Sequence, residues 1–317
     1  MQPAELIRRF ILSLASTLFL FISGILVPPA GVALLPFVPQ PVLVFGLNCG
    51  IRWGVGVLLV AAIILVVFAT EELVFIYTVF ALVVGLLFGL LGRLRAIESL
   101  VVSVSGVTFL VTAGLLLYFF GSWSGMIHDF RASLTQQFVA ATRVHEKMGF
   151  PQESLELLRE RMPQVVETLL QLLPALVFVS LAAVVLINVI LLCRRFPERR
   201  SEWLAIDTLR EWKGPEPMVW GLIACGFALF IPGLEWSKII AINVLVVIGT
   251  CYFAQGLAIV AFFFHKNNVP RFLRGLTYVL IFFQQIFTLL VVGLGLFDLW
   301  GDFRKLRKND LNPSQAS

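Results

Sequence analysis

The chain has 317 residues, 59% of them hydrophobic and 14% charged, with a formal net charge of +5; its mean hydropathy is +0.94. A water-soluble protein of this length has no place for so much apolar surface, because apolar atoms already fill its core and cover more than half of its exterior. The positive charge falls in short clusters beside apolar runs, a pattern that orients a membrane protein and excludes nucleic acid as the partner.

Seven runs, Phe10–Val27, Trp53–Thr70, Leu73–Leu91, Leu100–Phe120, Val165–Cys193, Ile239–Phe264 and Leu276–Trp300, each hold about 18 or more largely apolar residues, enough for a helix to cross a bilayer core. They are continuous rather than alternating, so the backbone is satisfied within helices and not within a barrel. The predicted fold is all-α: a polytopic transmembrane helical bundle of eight or nine spans, with a short amphipathic helical hairpin outside the membrane.

Residues 1–120 read as a five-helix membrane half. Arg8 and Arg9 place the N-terminus in the cytoplasm. Pro28 and Pro29 stand where a signal peptide would carry small residues, so the first run is expected to be retained. A second span is expected over Val32–Asn48, broken by Pro36, Pro39 and Pro41. Gly85 and Gly89 form a GxxxG pair, and Gly106 lies on a small-residue face with Ser103 and Ala113. Such faces let helices approach closely, here expected between helices of this chain, with contact to another protein as the alternative.

Residues 121–164 form an extramembrane segment. Phe130, Leu134, Phe138, Ala141, Val144 and Met148 recur at helical spacing before Gly149. Leu155, Leu158 and Met162 predict a second, shorter helix, with Pro163 opening the next helix at its first turn. The pair reads as a surface hairpin covering helix ends, or as a lid over a cavity.

Residues 165–303 form the C-terminal membrane half and 304–317 a polar tail. Met218–Ile231 is short for a crossing, so the count is nine if it spans and eight if it is re-entrant. Arg304, Lys305, Arg307 and Lys308 favour a cytoplasmic C-terminus, while Lys266, Arg271 and Arg274 favour the opposite parity. In the charged segment 194–217, Trp203, Ile206, Leu209 and Trp212 predict a short interfacial helix. Its acids and bases nearly cancel. It is a solvated surface or a docking site for a membrane or cytoplasmic protein partner.

Catalytic signatures are missing, and neither a catalytic residue, a metal site nor a cofactor is expected. The three histidines, His128, His145 and His265, lie outside the apolar runs, and the four cysteines are far apart in sequence. Asp298 and Asp302 share one helical face, read as an interfacial cluster with Arg304 and Lys305 rather than a catalytic dyad. The remaining chemistry is uncharged: Asn48, Asn188, Asn243, Thr250, Gln255, Gln284, Gln285 and Thr288. On the last run Thr277, Gln284, Thr288 and Gly295 form one stripe. These groups are either packing glue between helices or the lining of a pocket, for which Asn48, Asn243, Gln255, Gln284 and Thr288 are the candidate substrate-binding residues.

Several short stretches carry a resemblance: Leu34–Gly50, Leu172-Leu173-Pro174, Arg210-Glu211-Trp212-Lys213 before Pro217, Gly233-Leu234-Glu235, Ile242-Asn243-Val244-Leu245, Gln255-Gly256-Leu257, and Gly295-Leu296-Phe297-Asp298 through Asp302-Phe303-Arg304. In order and spacing they resemble the YybS-like family of bacterial multi-spanning membrane proteins, a family that brings no established activity. The N-terminal half is more loosely similar to S components of energy-coupling-factor vitamin transporters. That likeness implies a multi-pass protein of the bacterial inner membrane that binds a small molecule for uptake. Ser13 and Thr17 stand where an S component's first helix carries its Ala-x-x-x-Ala docking face. The alternative function is a non-transporting scaffold or regulator recruiting partners through 194–217.

Overall fold

The computed structural model describes residues 3–27, 31, 33–205, 209–233 and 235–304. Among them the regular structure is helical: α1 Pro3–Leu26, α2 Gln40–Cys49, α3 Ile51–Phe68, α4 Glu71–Leu90, α5 Ile97–Phe120, α6 Trp123–Lys147, α7 Gln152–Arg195, α8 Arg200–Trp203, α9 Met218–Ala228, α10 Glu235–Lys266, α11 Arg271–Phe283 and α12 Gln285–Gly301. Pro28, Pro29, Val32, Ile206 and the expected tail with Lys305, Arg307 and Lys308 lie outside the described residues.

Among the described residues six helices are long and apolar enough to cross a membrane, and a seventh span results if α11 and α12 count as one. Lipid is their solvent. On α3, Leu59, Ile63, Val66 and Val67 are all more than half exposed, a continuous apolar stripe that water would not tolerate. The expected second span and the segment Met218–Ile231 are short apolar helices instead of full-length ones. Pro36, Pro39 and Pro41 prevent a continuous helix before α2, since proline lacks the N–H and clashes with the preceding turn.

Two compact units divide the chain, Met1–Leu115 with Ser180–Ala205 and Leu116–Val179 with Ile206–Ser317. In the N-terminal unit α1–α4 pack around Phe21, whose ring meets Tyr77 edge-on at 5.5 Å. Gly46 and Gly54 leave room for the Phe88 ring; a Cβ on Gly46 would lie 2.4 Å from it. The proline-broken stretch leaves backbone carbonyls without helical donors, and the buried Asn188 of α7 supplies one. Its Nδ2 donates to the Pro36 carbonyl at 2.8 Å, and Gln40 Nε2 donates back to the Asn188 carbonyl at 3.1 Å. Nonhelical backbone at membrane depth persists where protein satisfies it in this way.

The segment after α7 is tied down rather than laid on a surface. Arg199 donates to the Leu47 carbonyl, Arg95 to that of Ser201, and the Ala205 N–H to that of Arg95. Trp203 is buried against Phe196. Among the described residues, the expected interfacial helix over 203–212 is replaced by a four-residue turn of helix, α8, and a 3-10 turn at Leu209–Glu211, with Trp203 turned to an inward partner.

In the C-terminal unit α6 and the start of α7 form the predicted hairpin, clipped by Arg131–Glu167 and Arg159–Glu146 ion pairs. The Ser122 hydroxyl caps α6 by accepting from the Gly125 N–H. Pro163 does not start a helix as expected: α7 runs unbroken for 44 residues through Pro163 and Pro174, about 66 Å at 1.5 Å per residue, twice a bilayer core. One lost hydrogen bond does not stop a helix with so many intact turns on either side. The last apolar run, in contrast, bends by 100° between α11 and α12, where Gln284 is extended.

The most extensive helix contact among the described residues joins α10 to α12. Gly256 and Gly295 make it. A Cβ on Gly295 would sit 1.9 Å from the Tyr252 carbonyl oxygen, and one on Gly256 2.0 Å from that of Val291. The two backbones touch. At Gly85, Gly89 and Gly106, by comparison, an added Cβ meets nothing within 4 Å, so the close approach expected at those three glycines lies at Gly256 and Gly295.

Candidate functional site

The C-terminal unit gathers its charge and amide groups where α12 ends. Gly301 closes the helix and Asp302 adopts the left-handed conformation, turning the chain so that Phe303 and Arg304 fold back. The Arg304 guanidinium meets Asp298 at 2.8 Å with both side chains fully buried. Its other arm donates to the carbonyls of Arg210 and Trp212, at 2.6 and 3.0 Å. The Phe303 N–H donates to the second Asp298 oxygen at 3.0 Å. Gln255 of α10 completes the node: Nε2 donates to Asp298 at 3.2 Å, and Oε1 accepts from the Gly214 N–H at 3.2 Å. Lys213 pairs with Asp302 at 3.0 Å.

Buried charge is tolerable only when paired and hydrogen-bonded, and this pair is both. Its chemistry is that of a clamp. Arg304 holds loop 209–214 by its carbonyls, Gln255 holds it by an N–H, and Asp298 joins the two. The predicted interfacial cluster of Asp298 with Arg304 thus exists as an interior ion pair. The signal in the sequence was the 298/302/304 spacing; the burial came from a loop some ninety residues earlier.

Asn243 has a similar structural task. Its Oδ1 accepts from the Ala175 N–H at 2.9 Å while Nδ2 donates to the Gln171 carbonyl at 2.7 Å. Those two groups are a helical i, i+4 pair beside Pro174, so the amide bridges the turn that proline disturbs. Asn48 donates to Val44 within α2 and is exposed. Gln284 is exposed at the bend. Thr288 reaches back across it to the Ile281 carbonyl. The five candidate substrate residues therefore fall in different places: Asn48 belongs to the N-terminal unit, and within the C-terminal unit Gln284 and Thr288 share the bend while Asn243 and Gln255 are committed elsewhere on α10. The proposed stripe from Thr277 to Gly295 is cut by the bend. Asn188, left out of the candidate set, is the amide that repairs the Pro36 break.

Beside the clamp lies a cleft of about 430 Å³ lined by Ile259, Val260, Phe263 and Phe264 of α10, Thr277 of α11, Leu294 of α12, and Phe303. Its lining takes one residue from each side of the bend at Gln284, Thr277 of α11 and Leu294 of α12. The Thr277 hydroxyl donates to the Leu273 carbonyl within its own helix, so the wall offers no free polar group. Phe264 stacks edge-on with Tyr278 at 5.7 Å, and the charges of Arg274 and Arg210 lie within electrostatic reach of that tyrosine. Among the described residues no cluster of three or more His, Cys, Asp or Glu side chains is arranged to hold a metal.

Apolar helices with lipid-facing stripes, a proline break repaired by the buried Asn188 amide and an interior ion pair define a multi-helix integral membrane protein. The chain belongs to the family described as Predicted membrane protein (DUF2232), whose sequence model matches residues 15–299. No curated protein and no solved structure matches it.

Proposed function

We propose that this is a non-enzymatic, multi-pass protein of the bacterial inner membrane that binds a small amphiphilic molecule in its C-terminal unit. The observation that carries the reading is the apolar cleft lined from both sides of the α11–α12 bend, beside a buried charge clamp. Broken helices at membrane depth recur where a cavity is lined, and binding sites are mostly apolar with few polar groups at one end. Asn243 and Gln255 spend both ends of their amides on backbone or Asp298, which turns the reading away from a polar ligand. Native mass spectrometry after purification from the protein's own membranes tests it. A discrete bound small mass that disappears in Leu294→Trp is expected; the same mass in both proteins, or none in the wild type, overturns it.

Uptake in the manner of energy-coupling-factor S components, and membership of the YybS-like family, are the finer forms of this proposal. The Pro-broken stretch before α2 supports the likeness. The docking face does not: Ser13 and Thr17 of α1 are buried inside the N-terminal unit, whereas a coupling surface has to be outside. We therefore propose binding without that mode of coupling.

A cytoplasmic N-terminus belongs to the same proposal. Its support is that Arg199 reaches Leu47 and Arg95 reaches Ser201, so the basic segments near Arg52, Arg95 and Arg199 gather at one end of their unit, as the positive-inside rule asks. The scaffold reading is supported by the same anchoring, which gives exposed Glu198 and Glu202 a fixed platform. Charge reversal at both is expected to release a co-purifying partner if the segment recruits one.

A further inference from the structure

The cleft is apolar throughout, yet the chain leaves it on two sides into cations. Phe264 is followed by His265 and Lys266, and Thr277 is preceded, one and two turns earlier, by Arg274 and Arg271. Lys266 and Arg271 are exposed and carry no ion pair among the described residues. Arg274 spends only its Nε, on the Val269 carbonyl at 2.7 Å. Arg210 adds a further positive charge near Tyr278.

The acids at this end are largely committed. Asp298 is held by Arg304 and Asp302 by Lys213, and Glu216 has a partner of its own. Among the described residues that leaves Glu211 against Arg210, Lys266, Arg271 and Arg274. The described rim is net positive, and Tyr278, which Phe264 meets edge-on, is of the type that gathers where a bilayer's apolar core meets its headgroups.

We infer that this cleft holds one anionic phospholipid drawn from the bilayer, with an acyl chain along Ile259, Phe263 and Leu294 and its phosphate facing Lys266, Arg271 and Arg274. The inference rests on the amphiphile reading above and names its ligand class. Charge complementarity decides the occupant. A wall with no free polar group suits a hydrocarbon chain, and a zwitterionic headgroup would leave the basic rim uncompensated. Basic pockets between membrane helices select anionic headgroups, each cation near the surface contributing about 1 kcal/mol.

The test uses the full chain in detergent, delipidated and titrated with dioleoyl phosphatidylglycerol or dioleoyl phosphatidylcholine, with bound lipid read by native mass spectrometry. One phosphatidylglycerol per chain is expected to survive gas-phase activation, with phosphatidylcholine far weaker. Lys266→Gln with Arg271→Gln removes two rim charges and is expected to cost about thirtyfold in phosphatidylglycerol affinity, at about 1 kcal/mol for each, while leaving phosphatidylcholine unchanged. Leu294→Trp fills the cleft and is expected to abolish the retained lipid. Leu294 is 40% exposed, so the larger ring is accommodated without disturbing the fold, which circular dichroism and gel filtration check.

Equal retention of the two lipids, indifferent to the rim double variant, overturns the anionic-lipid inference while the cleft reading stands. Phosphatidylglycerol retained undiminished by Leu294→Trp overturns the cleft as its site. A wild-type protein that retains neither lipid but keeps a different small mass also overturns the inference alone; one that retains nothing overturns both.

Discussion

Asp298 and Arg304 are the two residues whose loss the structure tolerates least. Removing one partner of a buried ion pair strands the other charge and costs about 3–5 kcal/mol. Arg304→Met is therefore expected to lower the detergent melting temperature sharply, read by thermal unfolding of the purified protein. Adding Asp298→Leu restores only part of the loss. The carbonyls of Arg210 and Trp212 still lack the donor Arg304 gave them, and each orphaned group costs about 1–3 kcal/mol. Asn188→Leu strands the Pro36 carbonyl by the same reasoning and is expected to cost about 1–3 kcal/mol. Gln284→Leu, at an exposed position with no hydrogen bond from its side chain among the described residues, is expected to leave the melting temperature where it is. In the sequence, Gln255, Gln284, Asn188 and Asn243 look alike: uncharged polar groups in apolar runs. Their ranking emerges only from what each one touches.

Between helices, glycine decides the closest approach. Gly256→Ala and Gly295→Ala each drive a methyl into a carbonyl oxygen of the partner helix, and α10 and α12 cannot separate without pulling Gln255 off Asp298. Either variant is expected to lose melting temperature and to expose the clamp, visible as faster hydrogen exchange at Gly214 and Phe303. Gly85→Ala, Gly89→Ala and Gly106→Ala meet open space. They are expected to keep or raise stability, since alanine is favoured over glycine in a helix by roughly 0.5–1 kcal/mol. The GxxxG spelling at Gly85 and Gly89 was the more visible motif, but spacing alone does not say which glycine face has a partner. Gly256 and Gly295 are 39 positions apart in sequence, and no local pattern links them.

At the scale of the whole chain, the arrangement of basic segments makes a topological prediction. Single cysteines at Arg52 and Ser201, in a background without the four native cysteines, are expected to react with an impermeant maleimide from the same side of the membrane, and one at Glu71 from the other. Labelling of Arg52 and Ser201 from opposite faces would sink the proposed orientation. The span count was the least legible quantity. Prolines before α2 and the 100° bend at Gln284 convert apolar runs of spanning length into short or broken helices, and hydropathy does not register a bend.

Hydrophobic length and charge placement by themselves determined that this is an all-helical membrane protein and where most of its helices lie. These follow from the solvent: in lipid a long apolar segment has to satisfy its own backbone, and the helix does so locally. Tertiary structure alone decided which polar groups matter. Asn188 repairs the proline break at Pro36, Asn243 bridges the turn beside Pro174, and Asp298 is interior because loop 209–214 returns to cover it. Hydrogen-bond partners separated by tens of residues are chosen by packing, and packing between helices bathed in the same hydrocarbon leaves little trace in the order of the amino acids.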